Sequence, residues 1–143
     1  MKIQPTPIPN KKVWLSWTGN GMEFKGGTDG SAPMVMDGKS VSGPGPMDAL
    51  LLSIAGCMAI DVKMILEKSR IPVSGLRVSV EGERAQVHPK RYTRLLLTYH
   101  LEGPGEVHQR KVDRAVALSR ETFCSVLHTL RPDIDVEIKT NLE

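Results

Sequence analysis

Apolar residues change their spacing several times along this chain, and each change marks a different kind of element. Short strand-like pieces come first, at 12–17 (KVWLSW), 22–25 (MEFK) and 33–36 (PMVM). The segments GNG and GGTDGS between them supply turn chemistry, so the three predict an antiparallel meander. The loop at 37–45 ends in GPGP. Pro46 then suits the first turn of a helix, where a missing N–H costs nothing. Helix-forming residues follow to about Ser69, and IPVSG stops them. The first half of this helix is apolar all round, which predicts burial on every side. The second half, DVKMILEKSR, regains polar positions and is expected to surface. One antiparallel sheet covers a single side of such a helix, so the second helix or a second copy of the chain is expected to cover the other.

Period two returns at Leu76–Val80, apolar at 76, 78 and 80. It returns again from Arg91 to Leu101, with Leu95, Leu97, Tyr99 and Leu101 on one face. GERAQVHPK connects the two strands. After a Gly-Pro loop at 102–106, Val112, Val116, Phe123, Val126, Leu127 and Leu130 follow a helical period from His108 until Pro132 ends it. A last alternating strand begins at Ile134. The order is three strands, a central helix, two strands, a helix and a strand. No internal repeat and no regular strand–helix alternation demand a parallel sheet. The reading is an α+β fold, antiparallel sheets packed around a buried central helix, as one domain over 1–143. Residues 1–12, with three prolines, form a flexible arm or one that orders on contact.

Composition narrows the function classes. The 143 residues are 40% hydrophobic and 24% charged, an ordinary globular balance large enough for one core. Net charge is +3, from 19 Lys and Arg against 16 Asp and Glu, too mild and evenly spread for a nucleic-acid partner. The N-terminus MKIQPTPIPNKK is polar and lacks the pattern of a leader. The longest apolar run, Ala49–Ile60, is short of the roughly 18 residues of a membrane helix, so no membrane partner and a cytoplasmic location are expected. Two cysteines in that setting are expected to be reduced or reversibly oxidised.

Those cysteines are the candidate chemistry. Cys57 and Cys124 each fall near the middle of a predicted helix, and each has a bland reading as a small buried hydrophobe. The sharper reading is a pair that meets, since core helices pack about 8–10 Å apart. Gly56 in a helix interior costs about 1 kcal/mol relative to Ala, which predicts either close approach or a helix break. A break would set Cys57 near a fresh helix N-terminus that favours a thiolate. Asp61, one turn after Cys57, is expected to point into water. Arg120 and His128 flank Cys124 at minus and plus four, where they would favour a thiolate if near. The four His residues show no metal-ligand spacing with the cysteines, and GPGP lacks the Lys-Ser/Thr of a phosphate cradle, so no metal and no cofactor are expected.

The segment GPGPMDALLLSIAGCMAIDVKMILEKSR, followed about 67 residues later by the cysteine of SRETFCSVLHTL, resembles the OsmC/Ohr family of osmotically induced and organic-hydroperoxide-resistance proteins. The resemblance covers nearly the whole chain. Its most specific elements are the GPGPMDALL entry, the GCMAID core and the FCSV second cysteine. It implies an intertwined homodimer with sites at the subunit interface. It also implies reduction of small organic hydroperoxides, with Cys57 as the peroxidatic cysteine, Cys124 as the resolving one, and a lipoyl- or thioredoxin-type dithiol as reductant. Asp48 is the nearest carboxylate to the place of the family's glutamate. The family's N-terminal arginine has no counterpart, because no arginine precedes Arg70; Lys11, Lys12, Lys25, Lys39 or Arg120 would have to replace it. The alternative is a non-enzymatic member of the same fold that binds a small molecule or senses oxidants.

Overall fold

The structure, a computed structural model, describes residues 11–143. The proline-rich arm therefore lies outside the described residues except for Lys11 and Lys12. The chain forms two compact units, one ending at Ala49 and the other spanning Leu50–Glu143.

The first unit contains the expected meander. Strands β1 (Trp14–Trp17), β2 (Glu23–Gly27) and β3 (Met34–Asp37) pair antiparallel in chain order. Gly26 is required where β1 and β2 meet, since a Cβ there would sit 2.5 Å from the Trp14 carbonyl oxygen. Asp37 ends β3 and organises the loop that follows. Its carboxylate accepts from the Lys39, Val41 and Ser42 N–H groups and from the Ser42 hydroxyl, at 2.9–3.3 Å. The backbone N–H donors, with that of Lys39 foremost, hold its pKa below the ordinary value of 3.8. The loop delivers Gly45 and Pro46 to the start of helix α1 (Pro46–Lys68), which begins in this unit and continues into the next.

In the second unit, β4 (Gly75–Arg84), β5 (Tyr92–Glu102) and β6 (Asp135–Leu142) form a sheet with β5 in the centre. Leu95, Leu97, Tyr99 and Leu101 of β5 are fully buried, as their alternation predicts. They share the core with Val112, Ala115 and Val116 of α2 (Gln109–Leu118) and with Ile54, Met58, Val62 and Leu66 of α1. Each buried Leu, Ile, Val or Met among them contributes about 1.5–3 kcal/mol relative to exposure.

Four expectations need correction. The sheet is not purely antiparallel: β5 and β6 pair parallel, with Leu97 opposite Ile138. The helical crossover between them supplies the long connection that a parallel pair needs. The second helix is not continuous to Leu130. It ends as α2 at Leu118, widens into a π-helical turn at Ser119–Phe123, and resumes as the short α3 (Ser125–Thr129). Within one chain, helix α1 is buried on one face: its buried residues form one i, i+4 stripe, while Leu52 and Ile60 are 56% and 62% exposed. Gly56 neither breaks α1 nor admits a close neighbour, and a Cβ there would meet nothing within 4 Å.

The apolar character of α1 extends beyond its uninterrupted run. The 23 residues of α1 have a mean hydropathy of 2.0 over an 18-residue window, long and apolar enough by length and composition to cross a membrane. Asp61 and Lys63 end the uninterrupted run without making the longer window polar. A core helix passes the same test, and here the Ile54–Met58–Val62–Leu66 stripe is buried within the chain.

Candidate functional site: a cysteine pair between two helical segments

Cys57 is half-buried on α1, and Cys124 is fully buried in the crossover. Cys124 is not mid-helix. It occupies the extended residue between the π-helical turn and α3, with φ −72° and ψ 94°. Its N–H donates to the Ser119 carbonyl at 2.8 Å, closing the wide turn. Its Sγ accepts from the Leu127 N–H at 3.3 Å and caps α3. Both cysteines are free, and they are near enough for Cys57 to raise the pKa of Cys124. Irregular π turns of this kind are frequent at functional sites.

The local field at Cys124 favours the thiol over the thiolate. Burial pushes its pKa up most strongly, the Leu127 N–H opposes that, and the thiol contact and charges of Cys57 and Asp61 add to it. The result is a rise from 9.0 to about 11. Tyr99, fully buried on β5, is pushed up by the same surroundings, chiefly burial, then Cys124, Asp61 and Cys57. Its hydroxyl has no hydrogen-bond partner among the described residues.

Asp61 does not point into water as expected. It is half-buried, and its Oδ2 accepts from the Ser119 hydroxyl at 2.9 Å. Its place one turn after Cys57 turns it toward the crossover instead. Arg120 and His128 do not act on Cys124 as their spacing suggested: the turn before Cys124 is widened, and although the His128 N–H still bonds the Cys124 carbonyl at 3.1 Å, its ring turns to Arg120. Both are exposed; the His128 ring lies 2.9 Å from the Arg120 carbonyl oxygen, and the charges raising Cys124 are both anionic.

Asp48 stands in the first turn of α1. Its Oδ2 accepts from the Gly45 N–H at 3.0 Å, the reach-back contact of a third helical residue to its N-cap. About two and a half turns of α1 lie between it and Cys57. Ser119 and Tyr99 were not singled out from sequence, though a signal existed. Ser119 continues the buried α2 face of Val112, Ala115 and Val116, and Tyr99 continues the inward face of β5. Polar atoms at core-facing positions require a reason. Among the described residues no group of three or more His, Cys, Asp and Glu could hold a metal ion.

Comparison with known proteins gives this geometry a context. The family model described as OsmC-like protein matches residues 37–139. Protein YhfA of Escherichia coli strain K12 is 34% identical over 123 residues, covering 85% of this chain and 90% of YhfA. A crystal structure of a hypothetical protein from Aquifex aeolicus superposes with a TM-score of 0.82 at 28% identity, covering 95% of this chain and 98% of that one. An organic hydroperoxide resistance protein OsmC from Legionella pneumophila shares the fold, with a TM-score of 0.67 at 15% identity over 95% of this chain and 99% of that one. The matched span contains both cysteines, Asp48, Asp61 and Ser119. By the family model and by its likeness to YhfA, this chain belongs to the OsmC-like family.

Proposed function

We propose that this protein is a thiol-dependent peroxidase that reduces small organic hydroperoxides through Cys57 and Cys124. The observation that carries the reading is that two free thiols, distant in sequence, lie on segments joined by the Ser119–Asp61 hydrogen bond and near enough for one to raise the pKa of the other. A relative of the same fold is named as an organic hydroperoxide resistance protein. In the first step the Cys57 thiolate attacks one peroxide oxygen. An S–O bond forms, the O–O bond breaks, and the departing alkoxide takes a proton to leave as alcohol. In the second step Cys124 attacks the sulfur of the resulting sulfenic acid. The S–S bond forms and hydroxide leaves, collecting the Cys124 proton as water. A lipoyl- or thioredoxin-type dithiol then restores both thiols by two exchanges and is itself oxidised to a disulfide.

The working unit is a homodimer in this reading. Its support is the stripe of exposed Leu52, Ile60 and Met64 with half-buried Gly56 on α1, an apolar face that one chain leaves uncovered. A reducing cytoplasm would keep the pair ready. Asp48 is assigned as the site's carboxylate, in addition to fixing the start of α1.

The test is consumption of cumene hydroperoxide by the reduced protein with dihydrolipoamide, with thiols counted before and after. Cys57→Ser is expected to abolish turnover, and Cys124→Ser to leave a single round without dithiol recycling through an internal disulfide. Asp48→Asn keeps an acceptor for the Gly45 N–H and removes the charge; a fall in rate at unchanged thermal stability would mark a role beyond the cap. The absence of an arginine before Arg70 favours a second reading, a binding or oxidant-sensing member. That reading predicts no turnover with both thiols still titratable.

A further inference from the structure

The crossover that holds Cys124 is locally weak. Between α2 and β6 the chain runs through a wide turn, a single extended residue and a helix of five residues. So short a helix is marginal alone, and its position depends on ties made at its ends. One end is tied inside the segment, where the Cys124 N–H closes on the Ser119 carbonyl at 2.8 Å. The other side of Ser119 reaches across the core, where its hydroxyl donates to Asp61 Oδ2 at 2.9 Å over 58 positions of sequence. Ser119 is fully buried and Asp61 half-buried, so this is a charge-assisted bond sheltered from water. Its two ends stand next to the two thiols along the chain. Asp61 is one helical turn from Cys57, and Ser119 is the residue on which the Cys124 backbone closes.

A polar pair in a core is not needed for packing alone. Burying a carboxylate beside apolar neighbours is unfavourable unless it is well bonded, and an apolar pair of similar size would fill the same space. We propose that Asp61 and Ser119 are positioning residues, whose hydrogen bond latches the Cys124 segment to α1 and so sets how readily the two thiols close into a disulfide. The inference builds on the cysteine-pair reading of the site, but its test does not require peroxide. The latch raises the effective concentration of one thiol at the other, and loosening it lowers the equilibrium constant for closure. In a glutathione buffer, closure forms the Cys57–Cys124 bond while one oxidised glutathione is reduced to two thiols.

The experiment equilibrates the full chain in buffers of stepped oxidised to reduced glutathione ratio. After acid quench and alkylation, the intramolecular disulfide is read by mass spectrometry. Ser119→Ala and Asp61→Ala are expected to lower the closure constant about tenfold, the worth of one hydrogen bond to a charged group. Asp61→Asn keeps a carbonyl oxygen for the Ser119 hydroxyl and is expected to stay within about threefold of the natural chain. A bond that served stability alone would lower the unfolding temperature and leave the closure constant where it was. Closure at the natural constant in both Ala variants overturns the latch, as does an Asp61→Asn chain that falls as far as Asp61→Ala. Ser119→Ala deletes one oxygen and carries the test if Asp61→Ala does not fold. A natural chain that forms no internal disulfide in any buffer also overturns it. A natural chain that closes in glutathione yet consumes no peroxide instead removes the peroxidase reading, and the variants still decide the latch.

Discussion

At Cys124, burial, the Cys57 thiol and the Asp61 carboxylate favour the neutral form, and the Leu127 N–H opposes them. A group whose folded pKa is raised keeps its proton longer folded than unfolded. Its contribution to stability is therefore complete below the ordinary value of 9.0 and is lost as pH rises to about 11. Urea unfolding between pH 8 and 11 is expected to show a steep loss of stability across that window. Cys124→Ala is expected to flatten part of the slope, worth on the order of 2 kcal/mol, and the buried Tyr99 accounts for some of the remainder. At this scale the sequence was informative where spacing is local. Cys57 and Asp61 lie one turn apart on any helix. The Asp61–Ser119 bond was not legible, because nothing in one sequence pairs positions 58 apart.

Helix α1 ends in a device that its sequence partly conceals. The Ile71 N–H donates to the Leu66 carbonyl and the Arg70 N–H to the Glu67 carbonyl, both at 3.0 Å, the paired bonds of a Schellman motif. Ile71 and Leu66 are buried, as the hydrophobic contact of that motif requires. The residue between cap and contact is Arg70, with φ 57°, where glycine is usual and a side chain is strained. Arg70→Gly is expected to stabilise the chain by about 0.5–1 kcal/mol, read as a raised urea midpoint at unchanged slope. The bounds of α1 were legible because Pro46 and IPVSG punctuate it. The break at Cys124 was not, because apolar spacing continues past it from Val116 through Phe123 to Val126 while the backbone widens by one residue. Strand β6 was found by its alternation, but its parallel direction depends on the crossover and not on its own residues.

For the molecule as a whole, the fold class and family were legible because the GPGPMDALL, GCMAID and FCSV segments are distinctive and correctly ordered. The number of chains was not, and it bears on α1. The stripe at Leu52, Gly56, Ile60 and Met64 is open in one chain, and a side chain added at Gly56 meets nothing within 4 Å. Gly56→Leu is therefore expected to leave the single chain folded while shifting a dimer toward monomer, measured by sedimentation. A variant that stays dimeric would move the proposed interface off this face. The parallel pairing of β5 and β6 also bears on the order of assembly. The two strands cannot pair until the chain from 103 to 134 has closed on itself as one loop, and that loop contains Cys124. Closing so long a loop costs chain entropy that only the contacts made afterwards offset. Cys124 lies inside that loop, so the pairing of β6 with β5 also fixes both ends of the segment that carries the second thiol.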